Sequence, residues 1–246
     1  MLKRAPSLTD QVKTHIKDMI VQGEFADGRV PPEMELAEVL GVSRTTVRDA
    51  LSRLEMEGTI SRRQGAGTFV NNPVLQIRSR LEEIWGYEAM LEAHGFTPST
   101  LLIKTERVRA DSSPFDNCTA VDLQLEPEEP LLLATKLFLE NDEPVILTHN
   151  SIPVRILTEG FAENDLSRPL YEFLELFTRQ RLAYYVTDIV PLAAGEEIAE
   201  LLKISRGTPL VSFDEIGYND NNEPVVKAHS YFRDDLLRLR LLRRRV

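Results

Sequence analysis

The sequence predicts an α+β protein in two parts. The first is a helical N-terminal unit closed by a small β-hairpin, and the second is a larger antiparallel unit built from a duplicated helix–hairpin. Three observations predict it. Residues 31–70 carry two helical repeats separated by a glycine turn and followed by two short β-prone stretches. A turn-rich break, Asn71-Asn72-Pro73, comes directly after them. Further on, TAVDLQLEPEEPLLLATKLFLENDEPVILTHNSI resembles EIAELLKISRGTPLVSFDEIGYNDNNEPVVKAHSYF about 80 residues later.

The first helix is expected over Leu8–Gln22, with Leu8, Val12, Ile16, Met19 and Ile20 as its apolar stripe. In the second, Leu36, Ala37 and Leu40 share a face, and Gly41 stands where a C-terminal cap favours positive φ. Val42 plugs the turn. Ser43 is placed to cap the third helix, its hydroxyl accepting an otherwise unpaired N–H. Val47, Ala50, Leu51 and Leu54 then recur at helical spacing and face inward. Gly58 ends that helix. Ile60–Arg63 and Thr68–Val70 read as strands joined by Gln64-Gly65-Ala66-Gly67.

If those four residues face inward, Arg44, Thr45 and Arg48 face outward, at the N-terminal end of the third helix. That end reads base edges when a helix-turn-helix enters a major groove. The arginine fork suits guanine O6 and N7. The hairpin would act as a wing, with Arg62 and Arg63 placed for phosphate. The net charge of −10 argues against a polyanionic partner until it is divided along the chain. Residues 1–72 hold 10 basic and 10 acidic groups, so the whole excess lies in residues 73–246. Screening over about 8–10 Å lets the neutral part bind DNA locally.

The remaining composition limits other readings. One cysteine, Cys118, excludes an intramolecular disulfide and is expected to be a buried or half-buried thiol. No apolar run of about 18 residues offers a membrane span, and the N-terminus lacks a secretory apolar core, so a cytoplasmic protein is expected. No nucleophile elbow, phosphate loop or paired carboxylates stand out, and no cofactor is implied. Leu81 to Ala93 reads as a helix with Leu81, Ile84, Trp85, Ala89 and Met90 on one side and Gly95 as its cap. The basic run LRLRLLRRRV ends the chain.

Residues 8–70, through ELAEVLGVSRTTVRDALSRLEMEGTISRRQGAGTFV, resemble the winged helix-turn-helix domain of the GntR family of bacterial transcription regulators. The resemblance implies DNA contacts from Ser43, Arg44, Thr45, Thr46 and Arg48, with Gln64 and Gly65 of the wing reaching the minor groove or backbone. Pro32 stands where many members have Ser or Thr, and Met34 where many have a basic residue. The motifs NDEPVILTHNSIP, SRPLYEFLE, AELLKISRGTPL and NNEPVVKAHSYFRDD resemble the UTRA effector-binding domain of the HutC branch, which has a chorismate-lyase-like fold. Domains are therefore expected at 1–72 and 81–246, with a linker at 73–80.

That resemblance puts a small polar metabolite on the even-numbered strand faces: Lys136, Phe138, Thr148, Asn150, Val226, Ser230 and Phe232. Members that bind phosphorylated sugars carry arginines near Lys136 and Phe138 and acids near Thr148 and Val226. This chain keeps one cation and neither acid, so an anionic or more apolar ligand fits better. His149 and His229 fall on the opposite face, and two histidines without a carboxylate make a poor zinc set. The expected protein is an effector-controlled regulator, a repressor, acting as a homodimer on a near-palindromic operator. The alternatives are an enzyme of lyase-like fold joined to a DNA-binding domain, and a nonspecific architectural DNA protein.

Overall fold

The computed structural model describes residues 6–75, 86–115, 118–158 and 160–242. The chain divides into two compact units, residues 1–80 with 240–246 and residues 81–239.

In the first unit, α1 (Leu8–Val21), β1 (Arg29–Val30), α2 (Glu33–Leu40), α3 (Arg44–Met56), β2 (Ile60–Arg63), β3 (Gly67–Val70) and α4 (Asn72–Leu75) follow in order. Gly41 ends α2 at φ 64°, a left-handed cap. Val12, Ile16 and Ile20 from α1 meet Leu36 from α2 and Val47, Ala50, Leu51 and Leu54 from α3 in one core. Burial of each large member contributes about 1.5–3 kcal/mol. Leu8 departs from the expected stripe: it is 54% exposed, because the core reaches only from Val12 onward. Strand β1 was not legible, since two residues carry no period. It pairs antiparallel with β3, giving the order β1-β3-β2. Val74 is buried and Leu75 packs against this core, so the chain stays on the first unit through α4.

In the second unit, α5 (Tyr87–Ala93), β4 (Pro98–Arg109), α6 (Thr119–Asp122), β5 (Pro130–Glu140), β6 (Glu143–Pro153), α7 (Leu170–Phe177), β7 (Leu182–Ala193), α8 (Glu196–Leu201), β8 (Pro209–Asn219) and β9 (Pro224–Phe232) follow. Of the helix expected from Leu81, the part seen begins at Tyr87; Leu81, Ile84 and Trp85 lie outside the described residues, as do the last four of the basic tail. Cys118 is exposed beside the start of α6, against the expectation of burial; the helix after it is one turn long and does not cover it.

The strands form one antiparallel sheet in the order β4-β5-β6-β9-β8-β7. Each repeat supplies three consecutive strands, and the inner pair β6–β9 joins the halves. The expected duplication is thus visible as symmetry about the sheet centre: α6 matches α8, β5 matches β8 and β6 matches β9. Asn141 and Asp142 turn the first hairpin at φ 48° and 66°, the left-handed pair that a tight hairpin requires. In the second, Asn219 Oδ1 accepts from the backbone N–H of Asn221 and of Glu223, both at 2.9 Å. Strands β4 and β7 complete the two edges. Helices α5 and α7 pack on the face carrying Phe138, Ile146, Phe213, Ala134 and Val226. Helices α6 and α8 pack on the opposite face, against Leu131, Leu133, Leu137 and Leu147.

Candidate functional site

Helix α3 begins where Ser43 Oγ accepts from the Thr46 backbone N–H at 3.1 Å, so the cap read from sequence is made. Pro32, at the equivalent place before α2, makes no side-chain cap. Arg44, Thr45 and Arg48 are exposed and Thr46 half-buried, while Val47, Ala50, Leu51 and Leu54 are fully inside. Arg44 Nε donates to Glu33 Oε2 at 2.9 Å, which ties the first turn of α3 to α2. Arg62 pairs with Glu55 at 3.5 Å and donates to the Arg48 carbonyl at 3.3 Å, so the wing is braced against α3. Arg63 lies over the Phe69 ring, 4.9 Å from its centroid. Gln64 and Gly65 form the exposed tip, Gly65 at φ 75°. Arg29, which sequence reasoning passed over, donates to the Ala66 carbonyl at 3.2 Å and stands beside Gly67. The sequence signal for Arg29 was weak, because β1 is too short to announce that it borders the wing.

On the second unit, every effector candidate lies on one sheet face, and all are buried. Lys136, Thr148, Ser230 and Phe213 form one cross-strand row; Phe138, Ile146, Phe232 and Val211 form the next. Asn150 pairs in register with Ala134 and Ala228, and its amide donates to Thr148 Oγ1 at 3.2 Å. Val226 lies opposite Gly217. Lys136 is 2% exposed, and its ammonium donates to the Arg168 carbonyl at 2.7 Å. Burial pulls its pKa down to about 8, with Glu88 acting the other way.

Two groups outside the expected effector contacts share this face, one of them Tyr87, which the sequence marks only as an aromatic for core packing or a domain contact. Tyr87, at the start of α5, sets its ring edge-on to Phe138 and Phe232, with centroids 5.3 and 5.6 Å away. Its hydroxyl lies 2.8 Å from Ser230 Oγ and 3.3 Å from Glu215 Oε2. Burial and the Glu215 charge hold the phenol well above its ordinary pKa, so it stays a donor. Glu215 accepts from Thr187 Oγ1 at 2.7 Å, and burial pushes its carboxyl up. An open cleft of about 510 Å³ at the β4 edge is lined by Thr105, Arg107, Leu132, Leu157 and Phe161 among others, and by none of the effector candidates.

The opposite face carries His149, whose Nδ1 is 3.0 Å from Thr135 Oγ1 and whose ring stacks on Phe115 at 4.1 Å. Lys227 pairs there with Asp122 at 2.7 Å and with Asp214. Burial works against that ammonium, but the two carboxylates outweigh it and raise its pKa. No helix among the described residues is long and apolar enough to cross a membrane.

Comparison with known proteins agrees with this architecture. Residues 8–70 match the model of bacterial regulatory proteins of the gntR family, and residues 93–238 match the UTRA domain. The HTH-type transcriptional repressor NagR of Bacillus subtilis is 28% identical over 228 residues, 93% of this chain and 89% of that one. The mannosyl-D-glycerate transport/metabolism system repressor MngR of Escherichia coli is 25% identical, with 96% and 95% covered. In fold, the chain resembles the possible transcriptional regulator YydK of Bacillus subtilis, with a TM-score of 0.75, 17% identity, and 97% and 100% covered. It also resembles PhnF of Mycobacterium smegmatis, with a TM-score of 0.59, 23% identity, and 95% and 99% covered.

Proposed function

Because the chain belongs to the gntR family of bacterial regulators and carries a UTRA domain, making it a DNA-binding transcription regulator and not an enzyme, we propose that it is a repressor whose operator affinity is set by a small polar metabolite. In this reading residues 1–72 bind DNA, 73–80 link, and 81–246 hold the effector and the homodimer contact. A dimer brings two recognition helices to a near-palindromic operator. Ser43, Arg44, Thr45, Thr46 and Arg48 meet the major groove, and Arg62, Arg63, Gln64 and Gly65 meet phosphate or the minor groove.

The effector site proposed is the face of Lys136, Phe138, Thr148, Asn150, Val226, Ser230 and Phe232. The observation that carries it is Lys136: a buried ammonium with a single hydrogen bond, to the Arg168 carbonyl, among the described residues. An ammonium has three donors, and a buried charge without an opposite partner is costly. An effector's polar group placed there would fill that deficit. The test is a metabolite screen on the full chain by thermal shift, where a ligand stabilises by RT ln(1 + [L]/Kd), followed by operator titration with each hit. Hits that leave operator affinity unchanged would remove the regulatory reading.

A further inference from the structure

Lys136 and Glu215 occupy matched places in the two halves of the duplicated domain. Each is the seventh residue of its strand, counted from Pro130 and from Pro209. The register agrees: Lys136 pairs with Thr148, Glu215 pairs with Ala228, and Thr148 and Ala228 are themselves equivalent in β6 and β9. The duplication has therefore placed a cation in one half and an acid in the other, on the same covered face. They are 2% and 8% exposed.

Among the described residues neither forms an ion pair. Lys136 has its one bond to the Arg168 carbonyl, and Glu88 acts on it only from longer range. Glu215 has two neutral donors, the hydroxyls of Thr187 and Tyr87. Each buried charge is thus met by neutral dipoles, an expensive arrangement for either sign. The register separates their Cα atoms by three strand spacings and two residues, roughly 16 Å. That is too far for a mutual ion pair but within the reach of two long side chains toward one extended molecule. Thr148, Asn150 and Ser230 lie on the strands between them, and Phe138 and Phe232 flank the path.

We propose that this site takes an extended dipolar ligand, with a carboxylate or phosphate on Lys136 and an ammonium or guanidinium on Glu215. The proposal rests on the effector reading given above and specifies its chemistry. Tyr87 then acts as a stand-in donor: its hydroxyl takes the place at Glu215 that the ligand's cationic end would fill.

The test uses the full-length chain and a series of ω-amino acids and ω-amino phosphates of increasing length, with the matching alkanoates, alkyl phosphates and alkylamines as one-charge controls. Thermal shift is read at up to about 10 mM, where a site with Kd near 1 mM would be mostly filled. Dipolar members of one preferred length should stabilise the wild type and the controls should not. Glu215→Gln and Lys136→Met should each weaken that response about 10- to 100-fold, the effect of losing one charged hydrogen bond. Glu215→Gln keeps side-chain length and Lys136→Met keeps the apolar stem one atom shorter, and the melting temperature of each variant alone reports whether it folds. A response to one-charge anions that survives in Glu215→Gln would overturn the dipolar proposal and leave Lys136 as an effector contact. A response indifferent to both substitutions would overturn this proposal and the pocket reading together. Silence of the whole series on the wild type would also overturn the dipolar proposal.

Discussion

His149 stands directly opposite His229 where the two halves of the sheet meet. The pair marks the symmetry centre of the domain. Burial, and then the neighbouring His229, hold the His149 imidazole down to a pKa of about 4. The unfolded chain titrates near 6.5. As pH falls, the unfolded state therefore takes up this proton first. The stabilisation from a neutral His149 is complete above about 6.5 and is lost progressively between about 6.5 and 4, amounting to about 3 kcal/mol. Denaturant melts of wild type and His149→Phe across that range check this. A wild-type slope matched by His149→Phe would assign the loss to other groups.

Lys136 leads to an opposite expectation for substitution. Its pKa of about 8 in the fold lies below the value near 10.5 of the free side chain. Near neutral pH the ammonium is therefore charged in both states and strained in the folded one. Lys136→Met should raise stability by about 1–3 kcal/mol at pH 7, since a buried charge lacking a partner is replaced by apolar packing. The gain should shrink as pH rises from about 8 to 10.5, where the wild type sheds the proton on folding. Unfolding curves at the two ends of that window measure it.

At the DNA end, Arg48→Ala should cost about 1–3 kcal/mol on the cognate operator and far less on random DNA if the guanidinium reads a base. Arg62 is held by Glu55 and by the Arg48 carbonyl. Arg62→Ala should weaken all sequences alike and flatten the salt slope by about 1 per site lost. Fluorescence anisotropy on both DNAs over a salt series separates the two. Equal losses for Arg48→Ala on cognate and random DNA would deny it base reading.

Gly217 sits opposite Val226. A Cβ there would come within 2.6 Å of Val226 Cγ1, 2.7 Å of Leu182 Cδ1 and 2.9 Å of Tyr185 Cε1. Gly217→Ala should destabilise the second unit by about 1–3 kcal/mol through overpacking, and Val226→Ala in the same chain should recover part of it. Calorimetry of the single and double variants would decide this, with no recovery arguing that the backbone, not Val226, takes up the strain.

What could be read in advance follows from how each element is buried. Helix α3 is legible because Val47, Ala50, Leu51 and Leu54 are inside while Arg44, Thr45 and Arg48 are outside, and Ser43 and Gly41 mark its approach. Strands β5, β6, β8 and β9 were legible through the repeat. Strands β4 and β7 were not: both are edges, and Leu101, Ile103, Val186 and Ile189 remain exposed, so apolar alternation does not report the covered face. Glu215 is not among the positions that the family resemblance implies, which places acids near Thr148 and Val226. The signal was present in the count from Pro209, which matches Glu215 to Lys136. For the Tyr87 hydroxyl there is no such signal, since its hydrogen-bond partners come from strands more than a hundred residues away.

The β6–β9 join also has a temporal consequence. The β5–β6 and β8–β9 hairpins close through short turns at Asn141-Asp142 and Asn219–Glu223, and hairpins of that kind form within about 1–10 μs. The ladder from Ile146↔Phe232 to Ser151↔Lys227 closes over a far longer loop, whose entropy must be spent before any cross-half contact returns it. The two hairpins are therefore expected to form before the sheet, with their meeting as the slow step. Conservative truncations in the β6–β9 ladder should slow refolding, whereas matching ones on the outer β4 and β7 strands should mainly hasten unfolding. Stopped-flow folding of the two sets would order the events, and a slowed refolding limb for the edge-strand set instead would place nucleation at the rim.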